Sequence, residues 1–479
     1  MTAAAPGGLI LALDQGGQGS RAALYEADGA RVGEAHVPIA TRRDDGHVEH
    51  DPLELLDSLR QAVRDAAALP AVRGRAVVAA GLATQRSTAL CWERSTGRPL
   101  SAALSWQDRR NADWLARLED RAQEVRRITG LVLSPHYGAS KLRWCLDHLP
   151  DVRAAAARGD LACGPLASWL LRTLLANGDC VVDPANASRT LLFDPRTLDW
   201  SGPLLSAFGL ERAWLPRCVP TLHGHGHLEV AGRRVPLTAC TGDQSAAAWA
   251  DGAPDPAVAL VNAGTGAFVQ RALGEAVAPP DGLLLSVLRA GPGGAVYSLE
   301  GTVNGAASAI AWLGERVAID VARALGTLSA PAGTEVPVFM NGVGGLGSPW
   351  WRADFPVEFV GAGDERARLV AVVESIAFLL AANLEAMRSA APLTRIRLTG
   401  GLANCDHLCR VLAGVTGLPV ERGDDSEATA RGTAYLAAGE PAGWRIAAFA
   451  RRWLPEHDSA LAERHRRWRR EMSSRGAPA

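Results

Sequence analysis

Leu9-Ile10-Leu11-Ala12-Leu13-Asp14-Gln15-Gly16-Gly17-Gln18-Gly19-Ser20-Arg21 opens as a short apolar run and ends in a carboxylate followed by three glycines within four residues. Apolar runs of this length read as buried strands. Ala22-Ala23-Leu24-Tyr25 reads as a returning strand, and Asp28-Gly29 marks the next tight turn. The expected unit is strand, glycine loop, strand, a hairpin whose tip carries almost no side chains. Backbone N–H groups at such a tip approach an anion closely, and a carboxylate at its edge can hold a divalent metal. Taken alone, the stretch reads as an ordinary hairpin with a loose turn.

The second half repeats the pattern. Ala257-Val258-Ala259-Leu260-Val261-Asn262-Ala263-Gly264-Thr265-Gly266-Ala267-Phe268-Val269-Gln270-Arg271 is again strand, glycine loop, strand. Each loop opens a half of similar size, which predicts a duplicated domain with two phosphate-facing hairpins across one cleft. At 479 residues the chain is too long for a single core. Between the hairpins, the strand-like run from Val235 to Thr241 meets Gly242-Asp243-Gln244 and then an alanine-rich helix. A carboxylate at a strand-to-helix junction suits metal binding or general-base work. An N-cap aspartate is the alternative.

Composition narrows the classes. The formal net charge is −1 and 21% of residues are charged, which argues against a nucleic-acid surface. Arginine supplies nearly all the positive charge, and Lys141 is the only lysine. No apolar run reaches the ~18 residues of a membrane span. Met1-Thr2-Ala3-Ala4-Ala5-Pro6 has no basic leader before the first strand, so a cytoplasmic chain without a signal peptide is expected. Cys91, Cys145, Cys163, Cys180, Cys218, Cys240, Cys405 and Cys409 lack metal-site spacing and read as buried thiols of a reducing compartment.

Other segments carry candidate chemistry. Asp51, Pro52 and Glu54 form a predicted capping box ahead of a helix with Leu55, Leu56, Leu59, Val63 and Ala66 at helical spacing. A strand over 76–83 ends in Thr84-Gln85-Arg86-Ser87, and ligands bind just past such strand ends in open α/β sheets. An isolated arginine there also fits a loop salt bridge. Trp106, amid Ser105, Gln107, Asp108 and Arg109, is either a core anchor or a wall of a polar pocket. His136 opens a helix and by itself reads as a loop histidine. Segment 160–176 reads as a buried strand and helix, 186–190 as a polar loop or cap, and 304–315 and 366–389 as helices. Residues 341–351 are too glycine-rich for anything but a shaped loop. Ile396-Arg397-Leu398 leads into Thr399-Gly400-Gly401-Leu402-Ala403-Asn404, either a tight βα turn or a turn that a flat ligand approaches. A small-residue helix from Glu427 is expected to pack there. From Arg451 a charged helix is expected, solvated and held by Trp453 and Trp468.

In order and spacing these stretches resemble the FGGY family of carbohydrate kinases, from residue 9 to residue 455, and within it most of all the glycerol kinases. The matching stretches are Leu13 to Gly16, Gly46 to Pro52, Thr84-Gln85-Arg86, Trp106 to Arg110, Lys141 to Trp144, Asn186 to Thr190, Gly242-Asp243-Gln244, Gly264-Thr265-Gly266, Gly345 to Pro349, Glu374 to Phe378 and Gly400-Gly401. The resemblance implies an α/β chain of two ribonuclease H-like (actin-like ATPase) domains with an interdomain cleft. Residues 1–250 would bind the acceptor and carry the first phosphate loop, 251–455 would bind nucleotide, and 456–479 would form the charged tail. It implies phosphoryl transfer from ATP with Mg²⁺ to a terminal hydroxyl of a small polyol or sugar, no nucleic-acid or membrane partner, and a homodimer or homotetramer.

By the same resemblance, Asp243 is the general base and Asp14 and Asp243 face the metal. The acceptor site is Arg86, Ser87, Trp106, His136, Asp243, Gln244 and Phe268. Gly16, Gly17, Gln18, Gly19, Ser20 and Arg21 form one ATP loop and Gly264, Thr265 and Gly266 the other. Ala307 and Ala311 lie on the nucleotide helix, and Gly400, Gly401 and Asn404 form the adenosine turn. This chain also departs from the glycerol kinases. Ser87 replaces a carboxylate, His136 a tyrosine, Ala311 a glutamine, and Gly17-Gln18-Gly19 a Thr-Thr-Ser. The altered acceptor wall implies a substrate other than glycerol, such as a longer polyol or a ketose. A kinase-derived binding or regulatory protein and an actin-like ATPase acting on protein partners are the competing classes.

Overall fold

The computed structural model describes residues 8–176, 178–329, 335–388, 391–423, 427–446 and 449–477. The opening hairpin forms: Leu9–Gln15 and Gly19–Tyr25 pair antiparallel, with Asp14 opposite Arg21. Leu9 to Leu13 are fully buried, because both faces of this strand are covered, and such strands read as continuous apolar runs. Arg31–Pro38 adds an antiparallel strand on one side. Val77–Thr84 and then Arg233–Gly242 add parallel strands on the other. Leu222–Val230, in the histidine-rich stretch, is a further strand that closes a six-stranded sheet.

The second half repeats this plan. Val258–Ala263 and Ala267–Leu273 form the hairpin, Gly294–Val303 is the next antiparallel strand, and Arg395–Thr399 and Val420–Gly423 follow in parallel. Leu284–Gly291 and Phe449–Trp453 lie at the edges of this seven-stranded sheet. In both sheets three antiparallel strands are followed by two parallel ones. That is the duplicated ribonuclease H-like architecture, with both glycine loops at equivalent hairpin tips. The Glu365–Arg388 helix is long and apolar enough by composition to cross a membrane, but it forms the centre of the second core.

Two elements of the second half reach into the first. Leu284, Leu285 and Val287 pack among Leu131, Leu142 and Cys145, and the Leu285 N–H donates to the Gly130 carbonyl at 2.9 Å. The helix Ala428–Ala437 lies on the first sheet instead of against the paired-glycine turn. A Cβ on Gly81 would stand 2.9 Å from Thr433 Cγ2, and one on Gly432 would collide with the Ala246 carbonyl. The small residues of this helix therefore serve a close crossing between the halves.

Two local expectations are corrected. Asp51 caps Pro52–Ala68 by accepting from the Leu53 N–H, but Glu54 accepts from the Ala40 N–H at 2.7 Å and closes no capping box. The charged tail is not helical from Arg451. Arg451 to Trp453 belong to the edge strand, and the helix spans Ser459–Ser474. Nor is that helix merely solvated: Trp468 is 1% exposed and Arg464 pairs with buried Glu374 at 2.6 Å.

Candidate active site

Asp14 is the penultimate residue of the first strand, at the base of the first loop. Burial, then the nearby charge of Asp243, pushes its carboxyl up to about 7, against the pull of Arg21. Its Oδ1 is buried without a hydrogen-bond partner. An orphaned carboxylate oxygen beside a second carboxylate is a place where a divalent cation lowers the energy. Among the described residues, no group of three or more His, Cys, Asp or Glu side chains is arranged to hold a metal. Two carboxylates with water and phosphate oxygens completing the shell is the Mg²⁺ pattern.

The loop after Asp14 is a tight turn, with the Gly16 N–H donating to the Gly19 carbonyl at 3.0 Å. Gly19 has no room for a side chain, since a Cβ would stand 2.9 Å from the Val37 carbonyl oxygen. Gln18 is exposed at the tip. Arg21 pairs with Glu34 at 3.3 Å and with Glu427. Ser20 is placed differently from the sequence-based expectation of an ATP contact. It is fully buried, and its hydroxyl bonds Gln15 Oε1 at 2.9 Å and Ser58 Oγ at 2.6 Å, so no hydroxyl of this loop is offered to a phosphate.

Asp243 sits where Arg233–Gly242 gives way to the short helix Asp243–Ala247. Its Oδ1 accepts from the Gln244 N–H at 2.7 Å and lies 3.8 Å from Arg86 Nε. Burial raises its pKa above the usual carboxylate range, and Arg86 opposes the rise. A side chain 25% exposed to the cleft with a raised pKa suits a general base.

The second loop is tied to the helix that follows. The Gly264 N–H donates to the Gly266 carbonyl at 2.8 Å. The Ala307 N–H donates to the Gly264 carbonyl and the Ser308 N–H to the Thr265 carbonyl, both at 3.0 Å. The loop thereby fixes the start of the helix Ala307–Gly314, on which half-buried Ala307 and exposed Ala311 share a face one turn apart. Thr265 is exposed at the loop tip. Gly400 has φ +87, and a Cβ there would stand 2.5 Å from the Ala263 carbonyl oxygen, so this turn abuts the second loop. Gly401 and Asn404 are exposed beyond it.

The expected acceptor residues gather between these loops. Trp106 is 37% exposed, and a Cβ on Gly17 would lie 3.8 Å from its Nε1, so the first loop touches this wall. His136 Nδ1 lies 3.1 Å from the Trp106 carbonyl oxygen. A carbonyl only accepts, so Nδ1 carries the proton, and burial lowers the ring's pKa. The neutral ring then has an acceptor at Nε2. Gln244 and Phe268 line one cavity with Thr399 and Gly400. Ser87 is buried in a left-handed backbone conformation at φ +65.

One residue of this centre escaped the sequence reading. Glu300, on the Gly294–Val303 strand of the second half, accepts from Arg86 at 2.6 and 3.2 Å, Arg189 at 3.1 Å and Gln270 at 3.1 Å. These partners overcome its burial and hold its carboxyl at about 2. The signal for it was a lone carboxylate within an otherwise uncharged strand.

Residues 9–250 match the N-terminal domain of the FGGY family of carbohydrate kinases, and residues 259–439 match its C-terminal domain. The chain is 36% identical over 480 residues to a glycerol kinase from Citrifermentans bemidjiense, covering 98% of this chain and 97% of that one. It is likewise 36% identical over 485 residues to a glycerol kinase from Thermus brockianus, covering 97% of each. In fold it is similar to the crystal structure of Plasmodium falciparum glycerol kinase with ADP, at a TM-score of 0.88, 23% identity and 98% coverage of both chains. A xylulose kinase from Brucella ovis aligns at a TM-score of 0.86 with 25% identity, over 98% of this chain and 99% of that one. With two matched domains and near-complete coverage by relatives above 30% identity, the chain belongs to the FGGY family of carbohydrate kinases.

Proposed function

We propose that the chain transfers the γ-phosphoryl group of ATP to a terminal hydroxyl of a polyol or ketose longer than glycerol. The observation that carries the reading is the convergence of Asp14, Asp243 and Arg86 beside both glycine loops. Asp243 takes the proton from the attacking hydroxyl at a carboxylate oxygen, its raised pKa matching that task. The backbone N–H groups of Gly17, Gln18, Thr265 and Gly266 lie on the two loops that would face the phosphates, with Arg21 at the edge of the first. Asp14 and Asp243 would hold Mg²⁺, which supplies neutralisation of the charge on the β- and γ-phosphates. Ala307, Ala311, Gly400, Gly401 and Asn404 would border the adenosine. Phosphoryl transfer is mostly positioning and charge neutralisation, so a first loop without hydroxyls still serves it through backbone N–H groups.

The acceptor follows from the wall. Ser87 offers a hydroxyl and His136 an acceptor nitrogen, in place of the carboxylate and phenol expected for glycerol. The shorter Ser87 leaves length for an additional hydroxylated carbon. An ADP-release assay over three- to six-carbon polyols and ketoses tests the reading, with release expected only when acceptor is present and highest above three carbons. ATP turnover independent of any acceptor would overturn it in favour of an ATPase. Nucleotide binding without turnover would overturn it in favour of a binding protein.

A further inference from the structure

The single lysine of the chain is buried at the back of the acceptor wall. Lys141 is 1% exposed and sits in the helix Gly138–His148. Its Nζ donates to the Ser87 carbonyl at 3.0 Å and to the His136 carbonyl at 2.7 Å. These are the two wall residues that distinguish this chain from the glycerol kinases. Ser87 stands at φ +65, a conformation that non-glycine residues hold only where surrounding contacts over-determine it. One terminal nitrogen on a flexible stem thus ties together two carbonyls from different loops.

We infer that Lys141 is a positioning residue for acceptor specificity: its Nζ donors lock the backbone of Ser87 and His136 together and so set the spacing at which the acceptor's hydroxyls are read. The inference rests on the assignment of Ser87 and His136 to the acceptor wall. Loss of the Nζ donors frees both carbonyls, lets Ser87 leave the left-handed region and widens the wall. The nucleotide loops are not held by Lys141 and stay in place.

The test is a double-mutant cycle between Lys141→Met and Ser87→Gly, read by steady-state kinetics with each acceptor and with ATP. Lys141→Met is expected to raise the acceptor KM by roughly 10–100-fold, as small displacements of positioning groups do, with the ATP KM unchanged. Glycine adopts φ +65 without strain, so in the Ser87→Gly background the same substitution is expected to cost much less. An equal cost in both backgrounds, or an unchanged acceptor KM, overturns the inference. A second measurement needs no variant. With lysine labelled at its ε-carbon with carbon-13, the side chain gives one NMR signal, because there is one lysine. That signal is expected to shift on adding acceptor and not on adding ATP alone, and no response to acceptor overturns the inference. Failure of every acceptor to be phosphorylated would instead refute the proposed function, so the two failures are distinct.

Discussion

Arg86 and Glu300 lie 214 residues apart and in opposite halves of the chain, yet they meet as a buried two-pronged ion pair, with Nη1 2.6 Å from Oε1 and Nη2 3.2 Å from Oε2. The pair spends both terminal nitrogens of Arg86 and leaves Nε facing Asp243. The second half thus fixes a residue of the first beside Asp243, the proposed base. Glu300→Gln keeps the shape but leaves Arg86 and Arg189 without their counter-charge. Breaking one partner out of a buried pair costs about 3–5 kcal/mol. The variant is expected to lose about that much in chemical denaturation and to show a raised acceptor KM.

Removal of the base is expected to separate chemistry from binding. Asp243→Asn retains a side chain that accepts from the Gln244 N–H but takes no proton from an alcohol. A general base contributes roughly 10²–10⁴-fold, and Asp243 is also a proposed metal ligand, so the loss in kcat is expected at the upper end. ATP affinity in calorimetry is expected to change little. Retained turnover would refute the base assignment.

How much of this was legible beforehand depends on how local the determinants are. The two hairpins were, because a doubly covered strand writes a continuous apolar run and a side-chain-poor tip writes its glycines. The positions of Asp14 and Asp243 in the fold were, because one lies just before and the other just past the end of an apolar strand. The partner of Arg86 was not. Glu300 is fixed by a cross-half contact, and no spacing along the chain encodes it. Glu54 and Ser20 failed for the same reason: their local motifs are intact, but Ala40 and Ser58, distant in sequence, claim their side chains. The helix Ala428–Ala437 was recognised as a close-packing element but placed on the wrong surface, since small residues announce contact without naming the partner.

Asp14 carries a pH signature. Its pKa is raised from the ordinary 3.8 to about 7, so the folded chain binds this proton more tightly than the unfolded chain does. A raised carboxyl therefore destabilises the fold progressively as pH rises from about 4 to about 7, and the cost is constant above that. Without nucleotide, Asp14→Asn is expected to gain stability relative to the unsubstituted chain across that window, by up to roughly 1 kcal/mol per pH unit, measured by guanidinium unfolding at pH 5, 6 and 7. Glu300, lowered from 4.5 to about 2, loses its contribution as pH falls from about 4.5 towards 2, below the three pH values measured. Cation affinity is expected to rise through pH 7 as Asp14 ionises, measured by Mg²⁺ titration of the nucleotide complex.

The acceptor wall yields the sharpest prediction. A site built to hydrogen-bond a substrate hydroxyl rejects molecules that leave its buried polar groups unpaired. Ser87→Glu together with His136→Tyr restores a carboxylate and a phenol where the glycerol kinases have them. The backbone at both positions is already anchored by Lys141, so the new side chains depart from loops held in place. Glutamate reaches further than serine and would occupy the length proposed to admit a fourth carbon. Glycerol is expected to gain at least about 10-fold in kcat/KM, worth ~1.4 kcal/mol, while longer polyols and ketoses lose a similar factor. Neither substitution alone should suffice, because each leaves one hydroxyl of glycerol without its partner. The ratio of kcat/KM for glycerol to that for the best longer acceptor, compared across both single variants and the double, measures this directly. A ratio that does not move in the double variant would place acceptor selection outside this wall.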